Sequence, residues 1–197
     1  AVTARSAQSV GGSRAEVITH LRRTFQDLKT YRRQRAISGP NYTAAYGTHQ
    51  KRSYSKIDMD ALARVREQGL PLVLHVDRAN EITQVLRLAA EYDFPLIVRG
   101  AAEGWKVASE LAAAKVPVII DPMNNLPTSF DRLGARADNA ALLHEAGVEV
   151  AFSVSDPHNA RQLRQLAGNA VANGMNWSAA LNAITNVPAN IFNLPVG

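Results

Sequence analysis

The sequence predicts an α/β fold in which four parallel strands alternate with helices. Continuous apolar runs of strand length occur at residues 70–76, 95–98, 116–120 and 148–154. Runs that are apolar throughout are typical of strands buried on both faces of a parallel sheet. A stretch with helical periodicity follows each run. Four such strand–helix units fit either a doubly wound sheet or half of a (β/α)8 barrel.

Helices are predicted where apolar residues recur at three- and four-residue steps. The first runs from residue 14 to about residue 35, and Ser13 with Glu16 has the spacing of a capping box at its start. Gly, Pro, Asn and Ser without a period predict a loop over residues 38–56. Further helices are predicted at residues 58–68, 80–92, 102–114, 137–146, 159–173, 178–185 and 188–192.

Charge divides the chain into two regions, 1–56 and 57–197. The first contains eleven Lys and Arg residues against two acidic ones, whereas the second contains 11 basic and 15 acidic residues. A basic segment can bind a polyanion, or it can be the solvated face of a helix against an acidic partner segment. No nucleic-acid-binding motif accompanies the charge. A nucleic-acid partner is therefore not expected.

Composition excludes several classes of protein. No apolar run approaches the roughly 18 residues that span a bilayer, so no membrane partner is expected. The sequence has no cysteine, which excludes disulfides and thiolate metal sites. No strand is followed by Gly-x-Gly-x-x-Gly or by Gly-x-x-x-x-Gly-Lys, so the common phosphate-binding loops are absent.

Polar residues follow the predicted strands, where ligands bind in both candidate folds. An imidazole at His75 and a carboxylate at Asp156 are donors that suit a metal such as zinc. The alternative is that His75 is a polar strand-end residue and Asp156 a helix N-cap. Two ligands are also too few, because catalytic zinc normally takes three from the protein. Four other polar residues occupy the same rim: Arg99, Asn125, His158 and Arg161.

Three segments resemble the amidohydrolase superfamily near its imidazolonepropionase-related members: LHVDRAN, SDPHNARQLRQLAGNAVANGM and NAITNVPANIFNL. In that family a His ends strand five, an Asp ends strand eight, and an Ala-x-Thr-x-x-Pro-Ala segment follows. His75 and Asp156 match the two strand ends, and the closing segment is matched by Ala183, Thr185, Pro188 and Ala189. The resemblance covers residues 60–194. It implies a partial (β/α)8 TIM barrel of about four C-terminal βα units at 57–197, preceded by a helix and loop segment at 1–56 that joins the barrel.

The resemblance implies a hydrolase that cleaves a linear or cyclic amide C–N bond with a metal-activated water. It places one divalent metal, expected to be zinc, on His75 and Asp156, with Asp156 as general base. Arg99, Asn125, His158 and Arg161 would then bind the substrate.

Two departures imply an incomplete, single-metal site. The family's strand-one His-x-His pair is missing, and Arg99-Gly100 stands where two-metal members have another His. The chain alone is expected to be inactive, and an N-terminal barrel half or a second chain is the expected partner. The alternative is a non-catalytic half-barrel that acts as an interaction or scaffold module.

Overall fold

The computed structural model describes residues 12–38, 54–124, 126–154 and 156–195. Its helices and strands alternate through most of this length, and short 3-10 helices connect some of them. The elements in chain order are α1 (Arg14–Ser38), α2 (Lys56–Glu67), β1 (Leu72–Val76), α3 (Ala79–Tyr92), β2 (Leu96–Gly100), a 3-10 helix (Gly104–Val107), α4 (Ala108–Ala113), β3 (Val118–Ile120), a 3-10 helix (Phe130–Arg132), α5 (Asn139–Glu145), β4 (Val150–Phe152), a 3-10 helix (Pro157–Gln162), α6 (Leu163–Ala172), α7 (Trp177–Ile184) and α8 (Asn186–Ile191).

The four strands form one parallel sheet in the order β1-β2-β3-β4. Val98 is the register partner of Val118, which in turn pairs with Val150. Strand order that follows chain order is the order of a (β/α)8 barrel, whereas a doubly wound sheet reverses direction at a switch point. The predicted α/β class with four parallel strands is therefore confirmed, and the topology is that of part of a barrel.

One face of the sheet packs against the helices and forms the main core. Strand residues that point to this face alternate with residues that point away, as the pleat requires. Burying each such side chain contributes roughly 1.5–3 kcal/mol. The cluster includes Val76, Val98, Val118 and Phe152 from the strands, and Ile82, Val85, Leu111 and Leu143 from the helices.

The opposite face of the sheet is only partly covered. Val187 and Ile191 of α8 pack there against a smaller cluster of Ile97, Ile119 and Ala151. On β1, Val73 belongs to the same face and is 42% exposed. Among the described residues, the face that would line a barrel interior is thus covered by α8 at β2, β3 and β4 and uncovered at β1.

Helices α1 and α2 lie beside the β1 edge of the sheet. They share a separate cluster that includes Leu28, Tyr31 and Met59. Between this pair, β1 and the end of α3 lies an apolar groove of about 650 Å³, whose walls include Leu72 and Leu74. The α1–α2 pair therefore leaves an apolar space next to the edge strand.

Helix ends follow the expected capping chemistry in part. Ser13 Oγ accepts a hydrogen bond from Glu16 N at 3.2 Å, as predicted. A full capping box starts α2, where Ser55 Oγ accepts from Asp58 N and Asp58 accepts from Ser55 N. The predicted loop over 38–56 is too long at both ends, because Ser38 and Lys56 are helical. Its residues 39–53 lie outside the described part of the chain, and the domain boundary at residue 56 stays a prediction.

The predicted helix over 102–114 is divided, and a side chain explains the division. Asn139 Oδ1 accepts from Trp105 N at 3.0 Å, and Asn139 Nδ2 donates to Ala101 O at 2.9 Å. A side chain that bonds these backbone groups competes with a regular helical turn. Residues 104–107 accordingly form a 3-10 helix. The predicted helix over 159–173 is also divided, into the 3-10 helix Pro157–Gln162 and α6.

Among the helices that the structure describes, none combines the length and the apolar character needed to cross a bilayer.

Candidate functional site

His75 lies near the carboxyl end of β1, on the face of the sheet that α8 partly covers. Its side chain is 37% exposed. The ring atom Nε2 lies 3.2 Å from Asp77 Oδ2. The imidazole is therefore neither buried in the core nor free to rotate as an ordinary surface side chain.

Asp77 is buried directly behind this imidazole and bonds to several groups. Its Oδ1 accepts a hydrogen bond from Ala102 N at 3.3 Å, and its Oδ2 lies 3.5 Å from Arg132 Nε. Burial alone would raise the pKa of Asp77, but the hydrogen bond and charge of His75, the charge of Arg132 and the Ala102 amide together lower this pKa below the usual 3.8. Asp77 is thus an ionised carboxylate that can only accept hydrogen bonds.

Gly100 gives the His75–Asp77 pair its space. It ends β2 as the register partner of Val76 and has a φ of +96°. A Cβ atom at this position would lie 2.6 Å from Asp77 Oδ1 and 3.1 Å from His75 Nε2. The close approach of the backbone and the left-handed φ both favour glycine.

The loop between β3 and α5 is fastened to the same rim. Arg132 reaches Asp77, and Asp131 forms an ion pair with Arg14 at the start of α1. Trp105 Nε1 donates to Gly134 O at 2.9 Å, which holds the loop to the segment after β2. These contacts place the loop over the carboxyl ends of β1 and β2.

Arg99 is brought next to His75 by the strand register, in which the two residues are Cα partners. Both alternate with core residues, so their side chains leave the same face of the sheet. Arg99 is exposed. The register therefore places Arg99 and His75 at neighbouring positions on one face of the sheet at its rim. Their predicted roles in substrate and metal binding stay predictions.

Asp156, His158 and Arg161 lie together after β4 and are all exposed. Asp156 occupies the N-cap position of the 3-10 helix, but its side chain makes no capping hydrogen bond. Instead, Asp156 Oδ1 lies 3.2 Å from His158 Nδ1, with side chains that are 55% and 76% exposed. Such an exposed pair contributes little to stability. Asn125, the remaining predicted site residue, lies outside the described residues.

The donor types of this rim fit a divalent metal, but the number of donors does not complete a site. An imidazole and a carboxylate both ligate zinc, which normally takes three protein ligands in a catalytic site. Within residues 12–38, 54–124, 126–154 and 156–195, no group of three or more His, Cys, Asp or Glu side chains could hold a metal ion. The assignments of His75 and Asp156 as ligands stay predictions.

Known proteins resemble this chain in sequence and in fold. No family model matches it. The amidohydrolase tasK of Hapsidospora irregularis is 26% identical over an alignment 163 positions long, which covers 68% of this chain and 17% of that protein. The crystal structure of an amidohydrolase from Thermotoga maritima MSB8 superposes with a TM-score of 0.80 at 22% identity, over 96% of this chain and 48% of that chain. The chain is thus similar in sequence to one amidohydrolase and has the fold of part of another. It spans about half of the Thermotoga amidohydrolase and a smaller share of the Hapsidospora one.

The sequence interpretation missed two residues near His75, Asp77 and Arg132. Asp77 was detectable, because residues two apart in an extended strand point to the same face. The His-x-Asp spacing therefore signals a possible contact. Arg132 carries no such signal, since it lies 55 positions after Asp77 in an irregular loop. Only the folded loop brings its guanidinium to the carboxylate.

Proposed function

We propose that this chain is the C-terminal half of a metal-dependent hydrolase that cleaves a linear or cyclic amide C–N bond. The observation that supports the proposal most is His75, whose imidazole is held by an ionised Asp77 at the rim of four consecutive parallel strands. In barrels of this topology the chemistry lies at that rim. The sequence likeness to an amidohydrolase supports the same reaction class.

In this proposal His75 and Asp156 are metal ligands, and the metal is zinc. A divalent cation held there would supply the Lewis acidity that makes water nucleophilic near neutral pH. Asp156 accepts the proton of the attacking water and returns it to the leaving nitrogen. Its high exposure leaves the carboxylate accessible to both.

Substrate binding is assigned to the polar residues of the same rim. Arg99, beside His75 in register, is suited to a substrate carboxylate or carbonyl oxygen. His158 and Arg161 on the segment after β4, together with Asn125, would bind the remaining polar groups. A small amide with an anionic group fits this set of side chains.

The proposal requires further strands and ligands, supplied by an N-terminal barrel half or a second chain. The β1 edge supports this requirement. Leu72 N donates to Pro95 O and Ala101 N donates to Val76 O, so both bonds point toward β2. The backbone groups of the alternate residues Val73 and His75 then point to the outer edge, where another strand can pair. The apolar groove beside this edge would receive the helix-facing side chains of such a strand. Residues 1–56 would form the connection to that half.

The test uses the full-length protein encoded by the complete reading frame. Metal content is measured by mass spectrometry after purification, and hydrolysis is screened with linear and cyclic amides. The change His75→Ala should remove stoichiometric metal and hydrolysis together. His144→Ala is the matched control, because His144 is an exposed residue on α5. If the His75 variant keeps both metal and activity, the assignment of His75 is wrong.

A second candidate is a non-catalytic half-barrel that acts as an interaction or scaffold module. It is favoured by the lack of a three-donor metal group in the described part of the chain, together with the open β1 edge. Metal-free full-length protein with no amide hydrolysis would support this candidate. Stoichiometric metal would contradict it.

A further inference from the structure

We propose that Asp77 is a positioning residue, which fixes the imidazole of His75 with the proton on Nε2 and the lone pair on Nδ1. The orientation follows from contacts within this chain. The claim that Nδ1 binds a metal rests on the proposed function. The orientation of the ring and the binding of a metal can fail separately, because each has its own measurement.

The donors and acceptors around Asp77 decide which atom of His75 carries the proton. Asp77 already accepts a hydrogen bond from Ala102 N and lies beside the Arg132 guanidinium. Both partners favour an ionised carboxylate, which has no proton to donate. The contact between Nε2 and Asp77 Oδ2 at 3.2 Å must therefore have His75 as the donor. A neutral imidazole that donates through Nε2 carries its lone pair on Nδ1.

Asp77 itself is held in place by contacts to both of its carboxylate oxygens. Its side chain is buried, and its two oxygens bond to residues from three parts of the chain: the end of β1, the segment after β2 and the loop before α5. Gly100 closes the space from the β2 side, since even a methyl group there would overlap Asp77 Oδ1. A carboxylate confined in this way can orient a partially exposed imidazole. Partners of this kind both orient a metal-ligating histidine and raise its basicity.

A purely structural role is the competing explanation. Asp77 could serve only to anchor the loop through Arg132, with His75 as a bystander. The two roles differ in one observable. Positioning requires that the His75 ring proton depends more strongly on Asp77, which it contacts directly, than on Arg132, which contacts only the carboxylate.

The experiment is nuclear magnetic resonance of the 197-residue chain labelled with ¹⁵N on histidine, in mildly alkaline buffer where an ordinary imidazole is neutral. The wild-type spectrum should show His75 protonated on Nε2, with a ring proton that exchanges slowly with water. Asp77→Ala should abolish this slowly exchanging resonance. Asp77→Asn keeps the shape of the side chain in case the alanine variant does not fold. It should speed the exchange by about fivefold, because a neutral acceptor bonds more weakly than a charged one.

The matched control is Arg132→Met, which removes the guanidinium from Asp77 but preserves an apolar side chain of similar length. Its His75 ring proton should remain observable and exchange more slowly than in either Asp77 variant, because Asp77 keeps its hydrogen bond from Ala102 N and still accepts from His75. Equal loss of the ring proton in the Arg132 and Asp77 variants would overturn the proposal and leave a loop-anchoring role. A wild-type His75 protonated on Nδ1 would also overturn it. If full-length protein binds no metal while these ring signals behave as expected, the proposed function fails and the positioning of His75 stands.

Discussion

Replacing Gly100 with alanine tests whether the His75–Asp77 pair is as tightly confined as the structure indicates. Two effects should destabilise the variant. A φ of +96° is strained for any residue with a Cβ atom, by about 1–3 kcal/mol. The new Cβ would also lie 2.6 Å from Asp77 Oδ1, where ordinary contacts are 3.4–4 Å. Asp77 must then move away from Ala102 N, and the loss of this hydrogen bond to a charged group costs a further amount of about 1.5–3 kcal/mol.

Gly174→Ala is the matched control for the backbone strain. Gly174 has a φ of +100°, and its nearest contact for an added Cβ is Ala141 Cβ at 3.7 Å. This variant should be destabilised only by the backbone strain that the Cβ atom introduces, about 1–3 kcal/mol. The difference between the two variants isolates the contact with Asp77.

Urea unfolding measures both variants against the wild type, with the free energy of unfolding extrapolated to zero denaturant. Gly100→Ala should be less stable than Gly174→Ala by about 1.5–3 kcal/mol. If the two variants lose the same free energy within about 0.5 kcal/mol, the reasoning is refuted. Asp77 would then move away from the added Cβ atom without losing its hydrogen bond from Ala102 N.

Three further predictions concern stability. Because the pKa of Asp77 is lowered in the folded state, its carboxylate stabilises the fold above the usual value of 3.8 and this contribution is lost as the pH falls below it. The stability difference between wild type and Asp77→Asn, measured by urea unfolding across pH, should therefore shrink in acid, and a constant difference would contradict the pKa direction. Asn139→Ala leaves Trp105 N and Ala101 O without their side-chain partner. The free energy of unfolding, measured by thermal unfolding, should therefore fall by about 2–4 kcal/mol. A decrease below about 1 kcal/mol would mean that water replaces the side chain. Ser55→Ala removes one half of the capping box of α2, and the free energy of unfolding should fall by about 1 kcal/mol. The control is Ser178→Ala, an exposed position in the first turn of α7, which should leave the stability unchanged because Asn176 caps that helix.

Strand β1 shows most clearly which features of the fold and of the candidate site the sequence predicts. Its apolar run predicts a strand, and the position of His75 at the strand end makes it a candidate site residue, because parallel sheets present their functional residues there. The structure confirms the strand and adds the neighbour Arg99 through the register. The roles of His75, Asp156 and the substrate-binding residues stay predictions, since the residues that the structure describes bring together no group of three metal-binding side chains. The imidazolonepropionase-like character and the identity of the metal stay predictions for the same reason.

The sequence by itself determined the element order, the α/β class and the residues at the strand ends, because local periodicity and chain order suffice for these. Tertiary structure decided which of those residues touch. Arg132 meets Asp77 across 55 positions through an irregular loop, and Gly100 matters because β2 runs beside β1 at hydrogen-bonding distance. The open β1 edge is also a tertiary property. Hydrogen bonding between strands is satisfied by whichever segment lies alongside, and no local pattern within β1 specifies that segment.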